Sequence, residues 1–329
     1  MNSVNISILV PVYKAEKYIG RCAKSLFGQT FDNLEFVFVD DCTPDRSIEV
    51  LKSVLSDFPH RREQTKIISH GRNRGVAAAR NTLLANATGD YLLWVDADDF
   101  IAKDAVKIIS ADIETSNADI VCFNSAWYDV SVVKNIPNAY NESPRQFIKN
   151  ILCNLVPTTL WGKCMKRCLF TENDLTFIEG LDMGEDMLVL VEIAYYSKTI
   201  FNEETVLYYQ DISDKSSLSR SYSTEKTDMV LKILEIMECF FRGKMDFSVC
   251  IQRRKLDVYL RKLFDYCIVG DKYNFKLLKS KVNTLKEGKV RPLNKTPYSL
   301  LLLSNSYAIN RMLAHVLLWG KSLAFYFRK

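Results

Sequence analysis

A chain of 329 residues with 48% hydrophobic and 25% charged residues has the composition of a folded protein of one large or two medium domains, which excludes a largely disordered chain. Its formal charge of +5 comes without a basic stripe, so a nucleic-acid partner is not expected, and a mild preference for phosphates or anionic surfaces remains. Nine cysteines without CxxC spacing, and a start from Met1 to Asn5 without a charged segment followed by an apolar one, point to a reducing cytoplasm.

The first element, Ile6 to Val12, is a nearly continuous β-branched run and reads as a buried strand. A helix follows with Ile19, Cys22, Ala23, Leu26 and Phe27 on one face. Leu34 to Val39 is a second strand, stopped by Asp40-Asp41, and Asp45 stands where it would cap a helix carrying Ile48, Leu51, Leu55 and Phe58. Lys66 to Ser69 is a third strand, a helix runs from about Gly75 to Ala87, and Tyr91 to Val95 is a fourth strand. Strands and helices alternating at this spacing predict an α/β fold with a doubly wound parallel sheet between helices.

Farther on, Asp119 to Asn124 reads as a strand, Ala126 to Val133 alternates as a half-exposed one, Pro144 to Cys153 reads as a helix and Thr199 to Tyr209 as a strand. Cys164 and Cys168 share a helix-like spacing, but with no His or Cys pair beside them they read as core or surface thiols. His60, His70 and His315 fall outside any metal-ligand spacing and read as incidental. From Thr224 the pattern becomes helical, with one stripe of Met229, Ile233, Ile236, Met237 and Phe240 and another of Leu256, Leu260, Leu263, Phe264 and Cys267. The end, Tyr298 to Lys329, is apolar but interrupted by Asn305, Asn310 and Arg311, and follows Lys281, Lys286, Lys289, Arg291 and Lys295. No run of about 20 apolar residues is present, so a spanning helix is not expected; an interfacial helix on an anionic membrane and a plain core or dimer helix both fit.

Two strands therefore end in acids, Asp40-Asp41 and Asp96-Ala97-Asp98-Asp99, and the carboxyl ends of parallel strands share one edge, where ligands bind. Crowded carboxylates stay ionised together only beside water or a cation, and an all-oxygen cluster suits Mg²⁺ or Mn²⁺, which usually also holds substrate phosphates. An ordinary acidic turn, with Asp99 or Asp104 capping the helix that begins near Lys103, accounts for the same residues. No GxGxxG or Walker A pattern follows the first strand, where Pro11-Val12-Tyr13-Lys14 stands instead, so phosphates must be held otherwise. Arg80 is either a cation that assists there or a helix-surface arginine paired with a carboxylate.

In this order, Pro11-Val12-Tyr13, Val39-Asp40-Asp41-Cys42-Thr43-Pro44-Asp45, Asn73-Arg74-Gly75 with Ala79-Arg80-Asn81, Gly89-Asp90-Tyr91, Asp96-Ala97-Asp98-Asp99, Trp161-Gly162-Lys163 and Gly184-Glu185-Asp186 resemble family 2 glycosyltransferases of the GT-A fold, over about the first two-thirds of the chain. The resemblance implies a mostly parallel Rossmann-like sheet flanked by helices, with a glycosyltransferase domain at 1–222, split into a nucleotide-sugar half (1–110) and an acceptor half (111–222), and a C-terminal helical region at 223–329. It further implies inverting transfer of one sugar from a nucleotide diphosphate sugar to a glycan or lipid-linked acceptor, with Mn²⁺ or Mg²⁺, in the cytoplasm or peripherally on the inner face of a bacterial membrane. By the same resemblance Pro11, Val12 and Tyr13 border the base, Asp41 bonds it with Asp40 nearby, and Arg80 helps bind the nucleotide. Asp96, Ala97 and Asp98 form the family's DxD element, with Asp96 at the ribose or sugar and Asp98 on the metal; Trp161 stands where it would stack on a sugar or sit in the core.

Gly184-Glu185-Asp186 opens a helix whose Met187, Leu190, Val191, Ala194 and Tyr195 follow helical spacing. Adjacent helical residues diverge by about 100°, so one of the two acids is expected to face the substrate. The resemblance picks Asp186 as general base and leaves Glu185 to orient the acceptor; acids that merely complement the helix dipole, worth about 0.3–1 kcal/mol, are the other account. By the resemblance the polar loop Asp211 to Arg220 falls where relatives often carry a basic residue toward the diphosphate, for which Lys215 and Arg220 are the candidates; Lys163 has no assigned role. Lys14 departs from the asparagine usual after the tyrosine. The absence of an Arg-Trp dipeptide sets the chain apart from processive synthases and points to single additions. A catalytically silent glycan-binding module, and a sugar nucleotidyltransferase with its glycine-rich loop after the first strand, are the competing readings.

Overall fold

The structure, a computed structural model, describes residues 4–129, 132–136, 143–213, 224–288, 290–292, 297–302 and 304–326. The chain divides into two compact units, Met1–Ile151 with Val156–Ser221, and Leu152–Leu155 with Tyr222–Lys329.

In the first unit, apolar runs become strands buried along nearly their whole length, β1 (Ile6–Val12), β2 (Leu34–Asp40) and β4 (Tyr91–Trp94), while the more polar β3 (Thr65–Ser69) is only partly buried. The helices between them are α1 (Ile19–Phe27), whose five buried residues are those of the expected face, α2 (Ser47–Ser56) and α3 (Val76–Asn86), which lays Ala77, Ala78 and Ala79 against the sheet. The four strands pair in parallel in the order β3-β2-β1-β4. The order reverses beside β1, and the loops after β1, β2 and β4 open on the same edge.

Beyond β4 the sheet is no longer purely parallel. The remaining elements of this unit are β5 (Phe100–Ile101), α4 (Ala105–Ser116), β6 (Ile120–Asp129), β7 (Val132–Ile136), α5 (Pro144–Leu152), β8 (Lys163–Lys166), α6 (Arg167–Thr171), α7 (Glu185–Tyr196) and β9 (Ile200–Asp211). Among the described residues the sheet has nine strands in the order β3-β2-β1-β4-β8-β6-β9-β5, with β7 on β6. β8 runs antiparallel to both neighbours, and β5 antiparallel to β9. Sequence spacing suggested a helix across Cys164 and Cys168; instead Cys164 lies in β8 and Cys168 in α6. Four residues, Lys-Cys-Met-Lys, carry no strand pattern of their own, and their ladder partners on β4 and β6 decide their state. Likewise Ala126 does not begin a new strand: β6 runs to Asp129 and keeps pairing with β9, although its register shifts at Phe123/Asn124 and Asn124/Ser125.

Local capping also differs from expectation. Asp45 accepts from the Ser47 N–H at 3.1 Å although Arg46 occupies the cap position of α2, and Asp104 accepts from Thr30 Oγ1 at 2.6 Å and makes no cap bond to α4. Lys14, where the motif departs from asparagine, is left-handed at φ 51°, a conformation asparagine tolerates better, and its N–H is held by Thr43 Oγ1 at 2.8 Å.

The second unit holds α8 (Thr224–Phe241), α9 (Ser248–Val269), α10 (Lys272–Glu287) and α11 (Tyr307–Tyr326). Leu256, Leu260, Leu263, Phe264 and Cys267 form the stripe expected on α9 and pack with Phe275, Leu278, Val282, Leu301 and Ala314. On α8 the buried residues include Leu234 and Phe241, neither of them in the expected stripe. Among the described residues no helix is long and apolar enough to cross a membrane. Lys215, Arg220, Lys289, Lys295 and Lys329 lie outside the described residues.

Candidate active site

The turn after β4 brings three carboxylates together. Ligand atoms of Asp96, Asp98 and Asp99 all lie within 4.8 Å of one another. The loop is braced from beneath by β9: the Asp96 N–H donates to Tyr208 Oη at 3.2 Å, Tyr208 O–H donates to Asp99 Oδ2 at 2.5 Å, and the Asp211 N–H donates to Asp99 Oδ1 at 2.8 Å. Arg21 of α1 reaches the Asp98 carbonyl at 3.1 Å, pairs with Asp211, and lies over the rings of Phe100 and Tyr128. Desolvation raises Asp96, and Asp98 and Asp186 add to this against the pull of Arg80. Burial, with the charges of Asp98 and Asp96, raises Asp99 well above the usual carboxylate range. A cluster of acids whose charges oppose one another is one that a hard cation would relieve, so the donor set fits a divalent metal on Asp96 and Asp98, with Asp99 as their support.

Arg80 is the centre of the second cluster. Its guanidinium is buried; Nη1 donates to Glu185 Oε1 at 2.5 Å and to Asp186 Oδ1, Nη2 lies 3.4 Å from Asp186 Oδ2, and Nη2 stands 3.9 Å from Asp96 Oδ1. The partnership with carboxylates that the sequence allowed for Arg80 is present, although the residue is buried and not on the helix surface. The expected divergence of Glu185 and Asp186 does not separate them, because one guanidinium nitrogen, Arg80 Nη1, bonds both acids at the first turn of α7, after Gly184 at φ 87°. Asp186 is the more open of the pair, with 16% of its side chain exposed against 9% for Glu185, and it also faces the Leu160 N–H at 3.4 Å. Burial and the Asp186 charge raise Glu185, and Arg80 opposes them. Three acids against one arginine leave this site short of positive charge.

On the donor side Asp41 is buried and held by three hydrogen bonds. Its Oδ1 accepts from the Arg74 N–H and lies 2.7 Å from His70 Nδ1, and its Oδ2 accepts from the Gly75 N–H at 2.9 Å. It thereby fixes the loop entering α3. His70, read as incidental, is a structural partner that also reaches Thr82 Oγ1 at 2.9 Å. Gly75, at φ 89°, leaves room for Asp182, whose oxygen would stand 2.6 Å from an added Cβ. Asp40 Oδ1 accepts from the Thr43 N–H at 2.8 Å. Tyr13 is exposed, Val12 is buried and Pro11 half-buried at the same edge.

Trp161 is in the core, stacked on Tyr208 with ring centroids 5.0 Å apart and planes 6° apart, so core packing accounts for it. Lys163 is fully buried, and its ammonium donates to the carbonyls of Thr159 at 2.8 Å and of Pro157 and Trp161 at 3.4 Å, tying down the segment that faces Asp186. Burial lowers Lys163 from 10.5 to about 8. Between those values the unfolded chain holds a proton that the folded one has lost, so this group adds stability as pH rises through the window. Urea unfolding of wild type and Lys163→Met at pH 8 and pH 10 should show the variant lacking on the order of 2 kcal/mol of that rise, at 1.36 kcal/mol per unit; parallel pH dependences would refute it.

Arg21, Tyr208, Asp211 and Asp182 went unnoticed in the sequence. The aromatic pair Tyr208-Tyr209, after the apolar Val206-Leu207 of β9, is the one local signal that could have drawn attention to that strand.

The sequence profile described as glycosyl transferase family 2 matches residues 7–167, which contain the Asp96-Ala97-Asp98-Asp99 loop and Arg80. The glycosyltransferase GlyA of Streptococcus pneumoniae is 33% identical over 234 residues, covering 67% of this chain and 32% of that protein, so this chain spans about a third of its length. Among solved structures, Staphylococcus aureus TarS residues 1–349 in complex with UDP-GlcNAc superposes with a TM-score of 0.61 at 19% identity, over 96% of this chain and 92% of that one. The mannosyltransferase PcManGT of Pyrobaculum calidifontis, in complex with GDP-Man and Mn²⁺, superposes with a TM-score of 0.56 at 17% identity over 96% and 88%. At these identities the likeness is one of fold, and it carries the mixed sheet described above. With the family profile lying over the loops that hold the acids, the chain belongs to glycosyl transferase family 2 and is a glycosyltransferase.

Proposed function

We propose that the protein transfers a single sugar, with inversion at the anomeric carbon, from a nucleoside diphosphate sugar to a hydroxyl of a glycan or lipid-linked acceptor. The observation that carries this reading is the one arginine shared by two acidic loops. Arg80 binds Asp186 at the start of α7 and stands 3.9 Å from Asp96 on the loop after β4, so the candidate base and the candidate metal loop face one space. Donor complexes of fold neighbours support a nucleotide sugar as substrate, and the Mn²⁺ of PcManGT supports a divalent ion at the Asp96 to Asp99 loop.

In this reading Asp186 takes the proton of the acceptor hydroxyl as its oxygen attacks the anomeric carbon from the face opposite the leaving diphosphate. Arg80 pairs with Asp186 and brings a positive charge to the acceptor side of the site, and the buried Glu185 holds the guanidinium in place. Asp96 and Asp98 would hold the ion, which when bound offsets the charge that builds on the departing diphosphate. Asp41 acts through the backbone at Arg74 and Gly75, shaping the donor edge.

The purified protein, incubated with a panel of UDP- and GDP-sugars and a bacterial lipid and glycan extract, should release nucleoside diphosphate only when Mn²⁺ or Mg²⁺ is present. Proton NMR of the product should show the anomeric configuration opposite to the donor's. A retained configuration would exclude the single displacement, and no release across the panel would favour a silent module.

A further inference from the structure

We propose that Tyr208 is a positioning residue for the acidic loop, its hydroxyl fixing the separation of Asp96 from Asp99 and its ring tying that loop to the segment that faces Asp186. The inference rests on the metal reading above and concerns a residue outside every motif that identified the family.

One hydroxyl serves two members of the cluster at once. Tyr208 Oη accepts the Asp96 N–H at 3.2 Å and donates its proton to Asp99 Oδ2 at 2.5 Å. The phenol is fully buried, so water cannot substitute for either bond. Asp99 has its other oxygen on the Asp211 N–H, so its carboxylate cannot swing toward Asp96 and Asp98 without leaving a buried donor unpaired. The ring then lies flat on Trp161, 5.0 Å between centroids. The Trp161 carbonyl is one of the three bound by Lys163, and the neighbouring Leu160 N–H faces Asp186 Oδ2 at 3.4 Å. A side chain on β9 thus joins the carboxylates after β4 to the base on α7 through two rings and one short segment. Groups that orient metal-binding carboxylates typically change metal affinity by about 10–100-fold when removed.

Tyr208→Phe keeps the ring and deletes the hydroxyl. Mn²⁺ titrations followed by the electron paramagnetic resonance of free Mn²⁺ should show about tenfold weaker binding by this variant, and calorimetric melting should show it still folded. Trp161→Phe, which keeps the hydroxyl and shrinks the stack, should weaken Mn²⁺ less, and it tests the same chain of contacts if Tyr208→Phe does not fold. Folded variants that bind Mn²⁺ as wild type does would overturn the inference and leave the metal reading standing. Wild type that binds no Mn²⁺ would overturn both.

Discussion

Asp186→Asn is expected to lower kcat by about 10²–10⁴-fold while leaving the affinity for nucleoside diphosphate unchanged. The amide is isosteric and keeps an oxygen for Arg80, so the site holds its shape; it cannot accept the acceptor's proton. Asp186 touches Arg80 and the Leu160 N–H and is not a member of the Asp96, Asp98 and Asp99 cluster that would hold the ion and, through it, the diphosphate. Steady-state turnover and isothermal titration with UDP or GDP in the presence of Mn²⁺ would measure the two effects separately. A comparable loss in both, or turnover close to wild type, would remove Asp186 from the base position. Glu185 would then be the first alternative, despite its deeper burial.

Asp98→Asn should instead cost both turnover and metal-dependent donor binding, since it removes one of the two acids best placed to hold the ion. It should do so without lowering the melting temperature of the metal-free protein. The Asp98 charge raises both Asp96 and Asp99, so neutralising it relieves repulsion that the fold otherwise sustains. Loss of function with equal or greater stability marks an acid kept for chemistry; an acid kept for structure would show the reverse. A melting scan with and without EDTA, beside the same titrations, makes the comparison. An Asp98→Asn protein that binds donor as tightly as wild type in Mn²⁺ would exclude Asp98 as a ligand.

The contrast between the two variants turns on distance along the chain becoming proximity in space. Asp96 and Asp98 were visible because an apolar strand stops at them. Asp186 was singled out by the resemblance, through Gly184-Glu185-Asp186 in the family's motif order; the helical stripe after it showed only that it opens a helix. That Arg80 would face both was not visible, since an arginine on a helix of small residues reads equally well as solvent-exposed. Its burial follows from Ala77, Ala78 and Ala79, which bring α3 close enough to the sheet for the side chain to extend beneath the edge toward α7. His70 shows the same limit from the other side. Nothing beside it in sequence suggests a partner, and Asp41, which it meets at 2.7 Å, lies on a different strand end.

The sequence by itself determined the N-terminal half of the fold and the order of its acidic loops, because most of those strands and helices are specified by their own continuous apolar run or apolar helix face. It also determined the α9 stripe of the second unit, for the same reason. The antiparallel β8, the length of β6, the burial of Arg80 and Trp161, and the Tyr208 bridge were decided only in the tertiary structure. β8 and its neighbours take their state from ladder partners, and a buried polar side chain takes its role from whichever unsatisfied group the packing brings within reach. Those interactions have no period along the chain, so they become legible only when the sheet and the helices have been set side by side.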